Sequence, residues 1–159
     1  MSRDNVTPFR PRKPPPKPRG GLNVTSHRGK AVLVQALTLA SFVLNWFFAT
    51  APATYFVMAV AIAAVAIAAS NRRDAMPWAQ THHEHALRTL LFGYAISVIG
   101  NLILSLFVPR DVLLTPEWVK WTSLVLNWGV LIWAAIRSSV GVVLAIIRRP
   151  IWHPTGVLL

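Results

Sequence analysis

The chain contains no cysteine. That excludes disulfides and thiolate metal sites and leaves the redox compartment unread. Acidic residues are scarce, five Asp and Glu against 16 Lys and Arg in 159 residues. None of the five falls in the four long apolar stretches, roughly 31–49, 53–69, 86–108 and 121–147. Proton-coupled transport and aspartyl intramembrane proteolysis need ionisable groups at depth, and these stretches offer no carboxylate. They hold no histidine either, so a serine nucleophile there lacks a general base. The chain is therefore expected not to be an enzyme and to carry no cofactor.

What remains is hydrophobic. The share is 54%, and the stretches read apolar on every face, so their solvent is lipid. Each has about the ~17–25 residues that cross a ~30 Å hydrocarbon core. The expected fold is an all-α membrane protein, a four-transmembrane-helix antiparallel bundle over residues 31–159. Its spans are placed at about 31–49, 53–69, 86–108 and 118–137, with a helical extension to 147. Residues 1–30 form a basic, proline-rich tail. The run Pro11 to Arg19 cannot be helical, because proline lacks the amide donor and clashes with the preceding turn; disorder or extended polyproline is expected. Ala49-Thr50-Ala51 imitates a cleavage site, but the long charged region before it and Pro52 after it argue for an uncleaved anchor.

Charge sets the expected orientation. The tail carries Arg3, Arg10, Arg12, Lys13, Lys17, Arg19, Arg28 and Lys30. Arg72, Arg73, Arg88, Arg148 and Arg149 fall on the same side, and Arg137 lies toward it; the other side keeps Arg110 and Lys120. The positive-inside rule then puts both termini in the cytoplasm. The tail serves topology, contact with anionic headgroups or docking of PxxP type. Nucleic acid is not expected as a partner, since Phe9 is its only stacking ring.

Helix two is a ladder of alanines from Ala59 to Ala69. Small residues let helices approach closely in lipid, so it is expected to be the most enclosed of the four. Thr115 and Pro116 suit the cap and first turn of helix four. Counting ~20 residues at ~1.5 Å from Trp118 places Arg137 near the cytoplasmic interface, with 138–147 running along the headgroups. A deeper Arg137 needs an acceptor, and Glu84 is the nearest by topology. Gln35, Asn45, Ser97, Asn101 and Asn127 are the polar groups inside the spans. They read as interhelical hydrogen-bond glue or as the lining of a polar path. Val43-Leu-Asn-Trp46 echoes Val125-Leu-Asn-Trp128.

Thr81-His-His-Glu-His-Ala-Leu-Arg-Thr89 is the one concentrated polar cluster. Its readings are interfacial capping, a partial metal site from His82, Glu84 and His85, and histidine gating; stoichiometric zinc is not expected. His82…Leu87-Arg88-Thr89, with Ile136-Arg137…Gly141…Pro150-Ile151…Pro154, resembles the pattern of small bacterial four-helix membrane proteins. These are grouped with the protein-import (translocon) component of the chloroplast inner envelope. The resemblance covers about 30–159. Leu90 and Leu91 replace the aromatic pair of that pattern, and His83 and His85 are additional. It implies characteristic positions at His82, Arg88, Thr89, Arg137 and Gly141, a bacterial inner (plasma) membrane, multi-pass, and a translocon-like role. Arg88 and Arg137, with His82 and Thr89, are expected to form a basic cytoplasmic rim for a lipid phosphate or a partner's acidic segment. Gly141, Asn45, Asn101 and Asn127 are expected in helix packing. The function expected is association with membrane or cytoplasmic components, through a protein partner or a homo-oligomer. The alternative is a small transporter or channel subunit with an Asn-lined path.

Overall fold

A computed structural model of the protein describes residues 23–47, 51–108, 116–153 and 156, with the backbone alone for 51–53. Residues 1–22, 48–50, 109–115 (with the proposed cap Thr115), 154–155 (with Pro154) and 157–159 lie outside the described residues. The described chain is all helical, in four elements: α1 His27–Phe47, α2 Ala51–Ser70, α3 Pro77–Leu106 and α4 Glu117–Ile146.

Each start has a local cause. Ser26 caps α1, its hydroxyl accepting the Gly29 N–H at 3.0 Å, and the helix begins ahead of the apolar stretch. Pro77 opens α3 behind an extended Met76, where its missing N–H costs nothing. The polar turns at 77–85, expected to be a connection, are thus the first turns of a 30-residue helix. Pro116 takes the cap position of α4 and Glu117 its first turn, where a carboxylate complements the helix dipole.

α4 ends at a left-handed residue. Arg148 has φ 58°; its N–H donates to Ala145 O at 3.2 Å, and Arg149 N–H to Leu144 O at 2.9 Å. These are the two bonds of a Schellman cap. Pro150 prevents resumption of the helix, and the chain folds back. A non-glycine residue there costs roughly 1–2 kcal/mol. Arg148→Gly is expected to stabilise the bundle by about 0.5–1 kcal/mol, read as a rise in the denaturant midpoint in micelles.

α1 and α3 touch each other and lie at the centre; α2 packs on both from one side, α4 on both from the other, and α2 does not reach α4. α1 buries Ala31, Val34, Gln35, Thr38, Ser41 and Phe42, a stripe with the 3.6-residue period. Thr38 donates to Val34 O at 2.8 Å and Ser41 to Thr38 O at 2.9 Å, so both hydroxyls enter the core satisfied. Phe42, Ala64, Leu90, Val130 and Ala134 form one apolar cluster; Val34, Ala68, Ala86 and Leu87 form a second.

One expectation about placement is corrected. α2 is the least enclosed helix: of its described side chains only Val57, Ala64 and Ala68 are buried. Small residues let α2 approach α1 and α3 along one narrow line, and the rest of the ladder faces outward. The segment from Ser138 onward continues α4 as helix, the extension expected, with Ser138, Gly141 and Ala145 buried. Three helices, α1, α3 and α4, are long and apolar enough to cross a membrane, while the apolar run Thr54–Ser70 of α2 is shorter.

Candidate functional site

The end of the bundle where α1 and α3 begin and α4 finishes holds a buried polar knot. Arg137 is 2% exposed. Its Nε donates to Thr89 Oγ1 at 3.0 Å and its Nη2 to Gly156 O at 2.5 Å. The guanidinium lies 5.5 Å from the centre of the Trp133 ring, within cation–π range. The Thr89 hydroxyl in turn donates to His85 O at 2.8 Å. From α1, Gln35 Nε2 donates to His82 O at 3.0 Å and meets His85 Nδ1 at 3.3 Å. An amide nitrogen has only hydrogens to give, so His85 Nδ1 accepts. Gly141 makes room for this amide: a Cβ there would stand 2.5 Å from Gln35 Cδ.

The chain after the Schellman turn closes over the knot. His82 Nε2 donates to Arg149 O at 2.9 Å. Ile151 N–H donates to Thr81 Oγ1 at 3.1 Å, and Gly156 O receives Arg137 as above. This strap is therefore pinned at three points to α3 and α4.

The expected basic rim takes a different form. His82, Thr89 and Arg137 do come together, but inside the protein. Arg137 is buried within the bundle, and its acceptors are Thr89 and a strap carbonyl. Glu84, the acceptor expected by topology, turns outward to Arg72 at 2.9 Å and Arg88 at 2.7 Å. Arg88 alone keeps the surface position assigned to it. The physical reason is helix register: α4 runs past the level of Gln35, so Arg137 sits several turns inside the end of α4.

Asp74 was not singled out from the sequence. Its side chain, 3% exposed, pairs with His27 Nδ1, and its other oxygen lies 3.9 Å from Nε2 of the buried His83. Beside it, Lys30 Nζ donates to Asn71 Oδ1 at 3.0 Å. The start of α1 is thereby tied to the α2–α3 turn. A lone Asp after two arginines reads as a solvated turn residue, and only the fold brings the two histidines to it. Among the described residues, no group of three His, Cys, Asp or Glu side chains could hold a metal ion.

At the opposite end the asparagines converge. Asn101 Nδ2 donates to Ser97 O at 2.7 Å and to Asn127 Oδ1 at 3.3 Å. Ser123 Oγ donates to Asn101 Oδ1 at 2.5 Å, and Asn127 Nδ2 to Ser123 O at 2.8 Å. This ladder clamps α3 to α4. Asn45 does not join it, but lines the same cavity of about 460 Å³ as Ser97, Ser123, Asn127 and Lys120. The echoed tetrapeptides meet beside it, the Trp46 and Trp128 rings 4.3 Å apart.

No family model, curated protein or solved structure matches this chain.

Proposed function

We propose that this chain is a non-enzymatic integral protein of a bacterial inner membrane, with both ends in the cytoplasm, that works by associating with another membrane or cytoplasmic protein or with a second copy of itself. The outward face of α2 carries the proposal. Ala59, Ala63, Ala66 and Ser70 follow one another at i, i+4, i+7 and i+11, all exposed. In lipid, where apolar burial drives nothing, small residues gain by letting a second backbone approach. Arg72, Arg73 and Arg149 at the knot end are exposed and suit anionic headgroups at about 1 kcal/mol each. A translocon-like role is the specific form of association that the residue pattern over 81–159 suggests.

The lack of cysteine makes the test clean. Ala63→Cys is expected to cross-link under mild oxidation in native membranes, to itself or to a partner thiol. Ile132→Cys, on the exposed face of α4, serves as control. A cross-linking yield at Ala63 no higher than at Ile132 removes the proposal. The second reading, a transporter or channel subunit, is favoured by Asn45 and Asn127 lining one cavity, with Asn101 bonded to Asn127 behind it. The buried knot at the other end opposes a continuous path.

A further inference from the structure

The two helical hairpins are unequal in length, and the cavity lies where the shorter one stops. Trp46 meets the Trp128 ring, and α1 ends one residue later at Phe47. From Trp128, α4 runs 11 residues further to Glu117. Phe42 lies against Gly93, and α3 runs 13 residues beyond that glycine to Leu106. At ~1.5 Å per residue, α3 and α4 extend roughly 12–15 Å past Phe47, the last described residue of α1. In a ~30 Å hydrocarbon core this step reaches toward the middle of the bilayer.

The step is polar. Ser97, Ser123, Asn127 and Lys120 line its α3–α4 wall, and Asn45 with Trp46 line it from α1. Asn45 is exposed, and its carboxamide makes no hydrogen bond among the described residues. An unsatisfied amide facing hydrocarbon costs several kcal/mol. Water or a polar ligand removes that cost. Phe42, Val130 and Leu131 close the cavity toward the core.

We infer that this cavity is a one-sided aqueous vestibule, opening at the Lys120 end, that binds a neutral polyhydroxylated group. The chemistry of the lining selects the ligand class. Carboxamides and hydroxyls both give and take hydrogen bonds and carry no charge. The one cation, Lys120, is held by Glu117 at 2.7 Å, which leaves little net field for an anion. The Trp46 ring supplies an apolar plate beside the amides, the combination that suits a sugar ring with its hydroxyl edge and apolar face. The group arrives as a free sugar or as the headgroup of a leaflet glycolipid.

The cysteine-free chain allows a direct test in proteoliposomes. Ser97→Cys and Val98→Cys lie at the same depth in α3. Ser97 lines the cavity, while Val98 is 63% exposed on the outer face. With a membrane-impermeant maleimide on both sides of the bilayer, Ser97→Cys is expected to label at least tenfold faster than Val98→Cys. Equal rates overturn the aqueous vestibule. Glucose in solution, or a monoglucosyl lipid in the vesicles, is expected to slow labelling at Ser97→Cys at least twofold without slowing Arg73→Cys, exposed at the other end of the bundle. Protection by glucose assigns a solute; protection by the lipid alone assigns a headgroup. Protection by neither, or equal protection by sodium acetate, overturns the polyhydroxyl assignment. Asn45→Leu in the Ser97→Cys background is expected to abolish the protection, and retention of full protection counts against the site.

Discussion

Arg137→Gln is expected to lower the stability of the bundle by about 3 kcal/mol, the loss of two buried charge-assisted hydrogen bonds at roughly 1.5 kcal/mol each. Arg88→Gln is expected to cost less than about 1 kcal/mol, because a partly exposed ion pair is worth little. The two arginines resemble each other in sequence, one near the start of a helix and one near the end of its antiparallel neighbour. Their surroundings separate them. Arg88 stands at the surface beside Glu84, which keeps Arg72 when Arg88 is removed. Arg137 joins α4 to α3 through Thr89 and to the strap through Gly156, so its loss leaves both acceptors stranded. Unfolding in mixed micelles, followed by tryptophan fluorescence, gives the two values. Trypsin gives a second readout, since release of the strap exposes the Arg148–Arg149 backbone to cutting in Arg137→Gln but not in Arg88→Gln. Equal small effects from both arginines contradict the buried knot.

The helices were legible because lipid leaves a simple signature, a long run without acid. Their starts were less so. The polar turn His82–Thr89 reads as water-facing when burial is judged by residue type, and α3 was therefore expected to begin at 86. Pro77 with its extended neighbour was the local signal for the earlier start. The membership of the knot was legible one residue at a time: His82, Thr89, Arg137 and Gly141 stood out, and Gln35 was marked as hydrogen-bond glue. That they face inward, against one another, was not. Facing is set by the register of α4 against α1, which depends on where Gly141 lets Gln35 in. The outward turn of α2 was misjudged for a related reason. A ladder of alanines offers the same surface on several sides, so its pattern does not say which side is covered.

Thr81, His82, His85 and Thr89 of the polar cluster thus join elements that are far apart in sequence. Gln35 reaches α3 across 47 residues, and Arg137 reaches α3 across 48. In a medium without hydrophobic drive, such bonds fix which helix faces which. The apolar clusters add dispersion contact but little direction. The knot thereby locks the register at one end, which lets the opposite end carry a step and a polar cavity without the helices sliding to close it.

Gly141→Leu is expected to disrupt this register and destabilise the bundle by about 3 kcal/mol, the upper range for overfilling a packed site. Smaller substitutions separate the mechanism from simple crowding. Gly141→Ala places a Cβ 2.5 Å from Gln35 Cδ, with the amide oxygen and nitrogen at 2.6 and 2.9 Å. Gln35 can swing aside, but only by leaving His82 O and His85. The broken buried bonds cost about 1–3 kcal/mol, partly offset by alanine's ~1 kcal/mol advantage over glycine within a helix. Gln35→Ala removes the collision and the bonds together. In that background Gly141→Ala is expected to be neutral or stabilising by up to about 1 kcal/mol, because only the helix propensity remains. The double-mutant cycle among the two single variants and the double variant should then show a coupling of about 1–3 kcal/mol. Additive effects would mean that Gly141 answers to something other than the Gln35 amide, and the account of how α1 and α4 find their register would fail with it.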